Sequence, residues 1–155
     1  MNRTRAFSLL EVMVVVVVIG VLAAVVVPVF GGVSGDARSA ALESAVGGVR
    51  SSIGGFRTEA ILAGSAPYPT ADQLRSEGVV VRGGLPANPY SGLSTLQEVT
   101  SAQAEARAVV NAQSFGWNYY VDNASDPPVA VFYANSSDET RVEDSDGSKK
   151  DANQV

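Results

Sequence analysis

The chain has 155 residues, enough for one small domain beyond a hydrophobic N-terminal segment and too few for two. It contains neither cysteine nor histidine, which excludes disulfides, thiol nucleophiles, zinc sites built on these residues and the common nucleophile–base pairs. No motif for a Ser-Lys or paired-carboxylate enzyme is present, so we expect no enzymatic activity. The formal net charge of −5 disfavours nucleic acid as a partner, because phosphate contacts need a basic surface.

Residues 7–30 form a continuous apolar segment that contains one charged residue, Glu11. As a helix this segment spans roughly 36 Å, and the hydrocarbon core of a bilayer is about 30 Å thick. We predict a transmembrane helix despite the many valines, because in lipid each backbone polar group must be satisfied within the segment. Arg3 and Arg5 predict a cytoplasmic N-terminus.

Glu11 is unusual because an ionised group inside a membrane helix costs about 2.5–3.5 kcal/mol at the helix centre and less near its end. A nearby cation would offset that cost, and the segment itself has none. Cleavage between Ala6 and Phe7 would create one, the new α-amino group of Phe7. The alternative is that Glu11 lies near the cytoplasmic interface and reaches water.

Residues 5–11, with the sequence RAFSLLE, resemble the prepilin processing site of type IV pilins and type II secretion pseudopilins. In that family a membrane peptidase cuts before the Phe and methylates the new amine, so the resemblance implies processing at Ala6 and Phe7. Ala6 occupies the position that Gly usually holds. The resemblance also implies that Glu11 pairs with the Phe7 amine of a neighbouring subunit during assembly.

Two further positions in the apolar segment fit the same family, which bends its helix there: Gly20 and Pro28. Two other interpretations of the segment stay open. A secretory signal peptide cut after Ala23 would release a soluble exported protein, although Glu11 argues against it. An uncleaved anchor without any role in assembly is the other.

After the apolar segment, apolar residues recur at alternating spacings of four and three, which predicts an amphipathic helix. The stripe comprises Leu42, Val46, Val49, Ile53, Phe56 and Ala60. We expect it to pack against the domain's own sheet, with a coiled-coil partner as the alternative. Residues 70–73 fit a capping box that opens a short helix, and residues 79–81 fit a brief strand.

Residues 85–92, LPANPYSG, resemble the LP-x-(D/N)-P-aromatic-x-G turn of the major, G-type pseudopilin of type II secretion. The two prolines are rigid turn residues that determine how the chain enters the sheet. Residues 93–100 predict a strand, and residues 101–113 a helix or an ordered loop. Residues 116–121 and 129–134 predict a hairpin, since both are rich in β-branched and aromatic residues. The predicted fold class is α+β, with a long N-terminal helix packed on a small antiparallel sheet.

Residues 135–155 are polar and acidic, so we expect a largely unstructured tail. Relatives of the secretion pseudopilin bind Ca²⁺ in a C-terminal loop, and the resemblance suggests Asp138, Asp144 and Asp146 as possible oxygen ligands. The alternative is a solvated acidic tail that binds no metal.

The resemblance implies a structural subunit of a type II secretion-like pseudopilus, with a cleaved leader at 1–6, a transmembrane and assembly helix at 7–30, a head at 31–134 and a flexible tail at 135–155. Its partners would be prepilin peptidase, an inner-membrane assembly platform, and other copies or pseudopilins in a helical filament. The head would lie in the periplasm. The alternatives are a type IV pilin for adhesion, motility or DNA uptake, and a membrane-anchored extracytoplasmic binding protein.

Overall fold

The computed structural model describes residues 8–155, apart from the side chains of residues 25–33. The chain divides into two compact units, Met1–Gly35 and Asp36–Val155. The long N-terminal helix is confirmed as α1, which comprises Leu9–Leu62. The second unit includes the residues predicted as a separate tail, so head and tail form one unit.

Membrane spanning was predicted for residues 7–30. Within the described part of the chain, we find no helix that combines the length and the sustained apolarity of a membrane span.

The apolar stripe of α1 packs against the domain's own sheet, as predicted. Leu42, Val46, Val49 and Ile53 are all buried and belong to one core cluster with Trp117 and Phe132. The two aromatic rings stack with their centroids 5.1 Å apart. Spacings of four and three residues keep these side chains on one face of the helix, so burial of that face supplies much of its stability.

The main sheet has three strands, β1 (Leu96–Glu98), β2 (Trp117–Asp122) and β3 (Val129–Ala134), in that order. β2 and β3 form the predicted antiparallel hairpin, in which Tyr119 pairs with Phe132. β1 runs parallel to β2, with Leu96 opposite Trp117. The predicted α+β class is confirmed, and the small sheet predicted as antiparallel is mixed, because only β2 and β3 are antiparallel. Residues 99–116 form the long crossover that a parallel pair requires, and α3 (Ser101–Glu105) lies within it.

The loop that follows α3 covers the second face of β2. Asn118 on that face is fully buried, and its amide nitrogen donates to the carbonyl of Ala108 at 3.0 Å. It also donates to Asn135 Oδ1 at 3.0 Å, while Gln97 donates to Asn118 Oδ1 at 2.7 Å. This buried amide network holds the loop against the sheet through polar contacts.

Two short helices begin with the same capping motif. Thr70 opens α2 (Ala71–Arg75) with a complete capping box to Gln73, which confirms the prediction. Thr100 opens α3 with an equivalent box to Gln103. The predicted strand at 79–81 is wrong, because these residues form turns.

The prediction of an unstructured tail is also wrong. β4 (Glu139–Glu143) and β5 (Lys149–Asp151) form an antiparallel hairpin, and a 3-10 helix follows at Ala152–Gln154. Thr140 is buried and donates to the carbonyl of Lys150 at 2.6 Å, and Ala152 is fully buried. Backbone pairing and these few buried contacts organise a segment whose composition is too polar to form a core of its own.

Candidate functional site

The described part of the N-terminal site begins with Ser8, which caps α1. The backbone N–H of Glu11 is 3.2 Å from Ser8 Oγ and 3.1 Å from the Ser8 carbonyl. The N–H of Val12 also donates to that carbonyl, at 3.3 Å. Ser8 therefore satisfies N–H groups that otherwise have no partner in the first turn of a helix.

Glu11 is the third residue of α1 and lies in its first turn. The positive end of the helix dipole favours a carboxylate at this place. The sequence Ser8-Leu9-Leu10-Glu11 has the spacing of a capping box, and our sequence reasoning overlooked it. Helix capping is thus a second physical reason for an acid here, besides pairing with an amine.

The helix surface around Glu11 is apolar on every side. Among residues 8–24, Glu11 is the only ionisable side chain, and all of these residues are exposed. Within this range the most exposed large apolar side chains are those of Leu9 and Leu10, which retain 79 % and 73 % of their accessible surface. A helix that is hydrophobic all round is normally buried in protein or lipid, so this segment carries a strong drive to associate.

Ala6 and Phe7 lie outside the described residues, so the predicted pairing of the Phe7 amine with Glu11 stays a prediction. Gly20 and Pro28 both fall within the bounds of α1. The Pro28 side chain is outside the description, and the kinks predicted at both residues also stay predictions.

Residues 1–27 match the family model described as the prokaryotic N-terminal methylation motif. These residues carry a type IV pilin-like prepilin processing signal. The predicted signal is thereby confirmed, whereas the closer resemblance to the G-type pseudopilin stays a prediction. No curated protein and no solved structure gives a significant match to the chain.

The processing signal contains Ala6, Phe7 and Glu11, and their individual roles stay predictions. In chains with this signal, cleavage would convert the segment just before the capped helix start into a new N-terminus. Glu11 and Ser8 would then lie within five residues of a cationic amine. An amine and a helix N-terminus both favour a carboxylate, so after such a cleavage the two effects would reinforce each other at Glu11.

The proline-rich turn at residues 85–92 is built around Asn88, which is fully buried. Its amide nitrogen donates to the Gly116 carbonyl at 2.8 Å, and its Oδ1 accepts from the N–H of Tyr90 at 2.9 Å. The Pro86 carbonyl accepts from the Trp117 indole at 2.7 Å. A Cβ at Gly116 would overlap the Leu93 carbonyl, so only glycine fits there. The turn therefore anchors the start of β2, a contact that the two prolines did not predict.

The structure does not bring the three predicted calcium ligands together. Asp138 precedes β4 and Asp144 follows it, and the five residues between them span about 15 Å in an extended strand. In the described residues no group of acidic side chains is arranged to hold a metal ion. Asp144 and Asp146 share the turn between β4 and β5, whereas Asp138 lies at the opposite end of β4.

The acids of this hairpin are held by protein groups. Asp146 Oδ1 accepts from the hydroxyl of Ser148 at 2.6 Å and from its backbone N–H at 2.8 Å, and these hydrogen bonds lower the pKa of Asp146. Lys149 Nζ lies 2.9 Å from Glu139 Oε1, and this contact lowers the pKa of Glu139. Asp144 Oδ1 lies 3.5 Å from Lys150 Nζ. Each of these three carboxylates thus has a partner within the hairpin itself.

Proposed function

We propose that the chain is a structural subunit of a type II secretion-like pseudopilus, cut by prepilin peptidase between Ala6 and Phe7. The observation that carries this proposal is the processing signal on a helix that is apolar all round and has one acid in its first turn. Before assembly the helix is held in the inner membrane with the head in the periplasm. There the acyl chains of the lipid cover its apolar side chains and keep them out of water.

Filament assembly transfers these helices from lipid into a central bundle of the same helices. Packing alone does not determine the axial register of smooth apolar helices, so a specific polar contact is needed. Glu11 supplies that contact by pairing with the Phe7 amine of the next subunit. At about 4 Å and an effective dielectric near 20, this attraction is about 4 kcal/mol before desolvation.

The secretion-like assignment is supported by the turn at residues 85–92, the absence of cysteine and the acidic head. A type IV pilin for adhesion, motility or DNA uptake is the competing function. Neighbouring genes distinguish the two, since a pseudopilus needs a secretion ATPase and an outer-membrane channel, whereas a retractile pilus needs a retraction ATPase.

The first experiment is mass measurement of the mature protein from membranes that contain prepilin peptidase. We expect a chain that begins at Phe7 with one added methyl group. A native chain that begins at Met1, or at Ala24, would refute the proposal, because the amine that pairs with Glu11 would not exist.

The second experiment replaces Glu11 with Gln, with Glu43→Gln on the exposed part of the same helix as the matched control. Glu11→Gln should be inserted and processed normally, yet filament recovery should fall about tenfold or more, because losing only about 1.4 kcal/mol changes an equilibrium constant tenfold. Glu43→Gln should assemble like the wild type. Equal filament yields for the two variants would contradict the assembly role of Glu11.

A further inference from the structure

The second unit contains a pocket of about 350 Å³ whose wall carries three arginines, Arg50, Arg57 and Arg107. The remaining wall is apolar or aromatic and includes Phe132 and Tyr68. No acidic residue lines the pocket. Three guanidinium groups around one cavity are unexpected in a chain whose net charge is −5.

These three arginines take no part in any of the four ion pairs of the described residues. Arg57 lies over the Tyr68 ring at 5.0 Å, and Arg107 over the Tyr133 ring at 5.3 Å. Aromatic faces attract cations, but they do not neutralise them or accept conventional hydrogen bonds. No acidic side chain of the described residues therefore lies against these positive charges.

The backbone of Arg107 has an uncommon conformation. Its φ is +49°, in the left-handed region that residues other than glycine rarely occupy. Its carbonyl accepts from Asn153 Nδ2 at 2.7 Å, and its N–H donates to the Ala104 carbonyl at 3.2 Å. Arg107 Nη1 is buried without any hydrogen-bond partner. A buried charged donor without an acceptor is costly, so its presence needs an explanation.

Arg50 has a partly structural role. Its Nη2 donates to the Phe132 carbonyl at 3.0 Å and to the backbone oxygen of Val155 at 2.9 Å. Burial lowers the pKa of the Arg50 guanidinium, and the nearby charge of Arg107 lowers it further. Like charges held together in a partly buried place repel each other, and an anion between them would relieve that repulsion.

We propose that this pocket is an oxyanion-binding site that takes a phosphate or carboxylate group between Arg57 and Arg107. Guanidinium groups recognise both anions because their planar N–H donors match two oxygens at once. The anion is either a free one or an acidic side chain of a second copy of this chain. The exposed turn of the β4–β5 hairpin, with Asp144 and Asp146, offers such side chains. This inference concerns the head alone and does not depend on filament assembly.

The test uses the full chain in detergent micelles, titrated with inorganic phosphate against chloride at matched ionic strength. We expect saturable binding by calorimetry and a rise in the thermal midpoint. Arg107→Gln and Arg57→Gln should each weaken phosphate binding about tenfold or more, since each removes a charge-assisted hydrogen bond. Arg82→Gln, an exposed arginine outside the pocket, is the matched control and should bind like the wild type.

The proposal would be overturned if Arg82→Gln weakened phosphate binding as much as Arg57→Gln does. It would also be overturned if the wild type showed no saturable phosphate binding, unless the acidic peptide described next binds through Arg57. Arg57 is exposed, so its variant keeps the test valid if Arg107→Gln fails to fold. A synthetic peptide of residues 138–151 then identifies the source of the anion. Peptide binding that Arg57→Gln weakens indicates a second copy, whereas phosphate binding without peptide binding indicates a free anion. Failure of both ligands to bind would refute the site.

Discussion

The hydroxyl of Ser39 lies 3.1 Å from the hydroxyl of Tyr90 and accepts a hydrogen bond from the backbone N–H of Arg141 at 2.9 Å. These contacts connect α1, the turn at residues 85–92 and β4, which are far apart in the sequence. Ser39 is only 4 % exposed, so water does not replace these partners readily. One small side chain therefore joins three segments of the second unit.

Ser39→Ala should lower the free energy of unfolding by about 1–3 kcal/mol, because the N–H of Arg141 loses its acceptor in a buried place. Urea unfolding of the full chain in micelles, followed by circular dichroism, measures the change. Ser44→Ala on the exposed face of the same helix is the matched control and should stay within about 0.5 kcal/mol of the wild type. Equal stability of the two variants would argue against the bridging role of Ser39.

Asn135 is the most heavily bonded member of the buried amide network. Its Oδ1 accepts from Val110 N–H at 2.9 Å, and its Nδ2 donates to the Val110 and Phe115 carbonyls at 2.6 and 2.8 Å. Asn135→Ala leaves several of these groups buried without partners, so we expect a loss of about 3–5 kcal/mol in unfolding free energy.

The same variant should increase hydrogen exchange of the Val110 amide, which proton–deuterium exchange by NMR can follow. Gln113→Ala, at an exposed position of the same loop, should leave both stability and exchange unchanged. A loss of stability below about 1 kcal/mol for Asn135→Ala would indicate that water replaces the amide.

Because the hydroxyl of Tyr119 is buried, we expect the protein to lose stability at alkaline pH. Its ring is fully buried and its hydroxyl donates to the Pro69 carbonyl at 2.8 Å, and burial raises the pKa of this hydroxyl. The folded state therefore retains the proton while the unfolded chain releases it above about pH 10. The resulting stabilisation is complete below pH 10 and decreases as the pH rises further.

Unfolding free energies measured from pH 8 to pH 12 test this dependence. Tyr119→Phe should be less stable at pH 8, because the Pro69 carbonyl loses its donor, yet it should lose less stability between about pH 10 and 12. Tyr120→Phe, which removes a hydroxyl at a half-buried position of the same strand, is the control. Parallel curves for wild type and Tyr119→Phe would exclude Tyr119 as the titrating group.

Ser8→Ala should loosen the first turn of α1 by about 1 kcal/mol, because the N–H of Glu11 loses its side-chain acceptor. Hydrogen exchange at the Glu11 and Val12 amides in micelles measures this loosening. Ser8→Asp keeps an acceptor at the cap and should exchange as slowly as the wild type. Equally fast exchange in Ser8→Asp and Ser8→Ala would show that capping contributes little at this end.

Several elements followed from local patterns in the sequence. The β2–β3 hairpin was predicted because its two halves are rich in β-branched and aromatic residues, and the stripe on α1 because its spacing matches one face of a helix. The capping box at Thr70 was predicted because all of its partners lie within four residues. Each of these features depends on residues that are neighbours in the chain.

The wrong predictions concern features that depend on residues far apart in the chain. The parallel direction of β1 depends on how residues 99–116 cross the sheet, which no local pattern encodes. The β4–β5 hairpin has too few apolar residues to be recognised, and it is stabilised by contacts such as that between Arg141 and Ser39. The predicted calcium ligands were placed in one loop, whereas β4 separates Asp138 from Asp144.

Hydrophobicity and spacing are properties of the unfolded chain, so they were sufficient to predict the apolar N-terminal helix with its single acid and the amphipathic stripe. The processing signal was predicted from the resemblance of residues 5–11 to a known motif. The arginine pocket, the buried amide network and the serine bridge became visible only after folding. Each brings together residues that are tens of positions apart, and their mutual distances depend on the packing of the whole second unit.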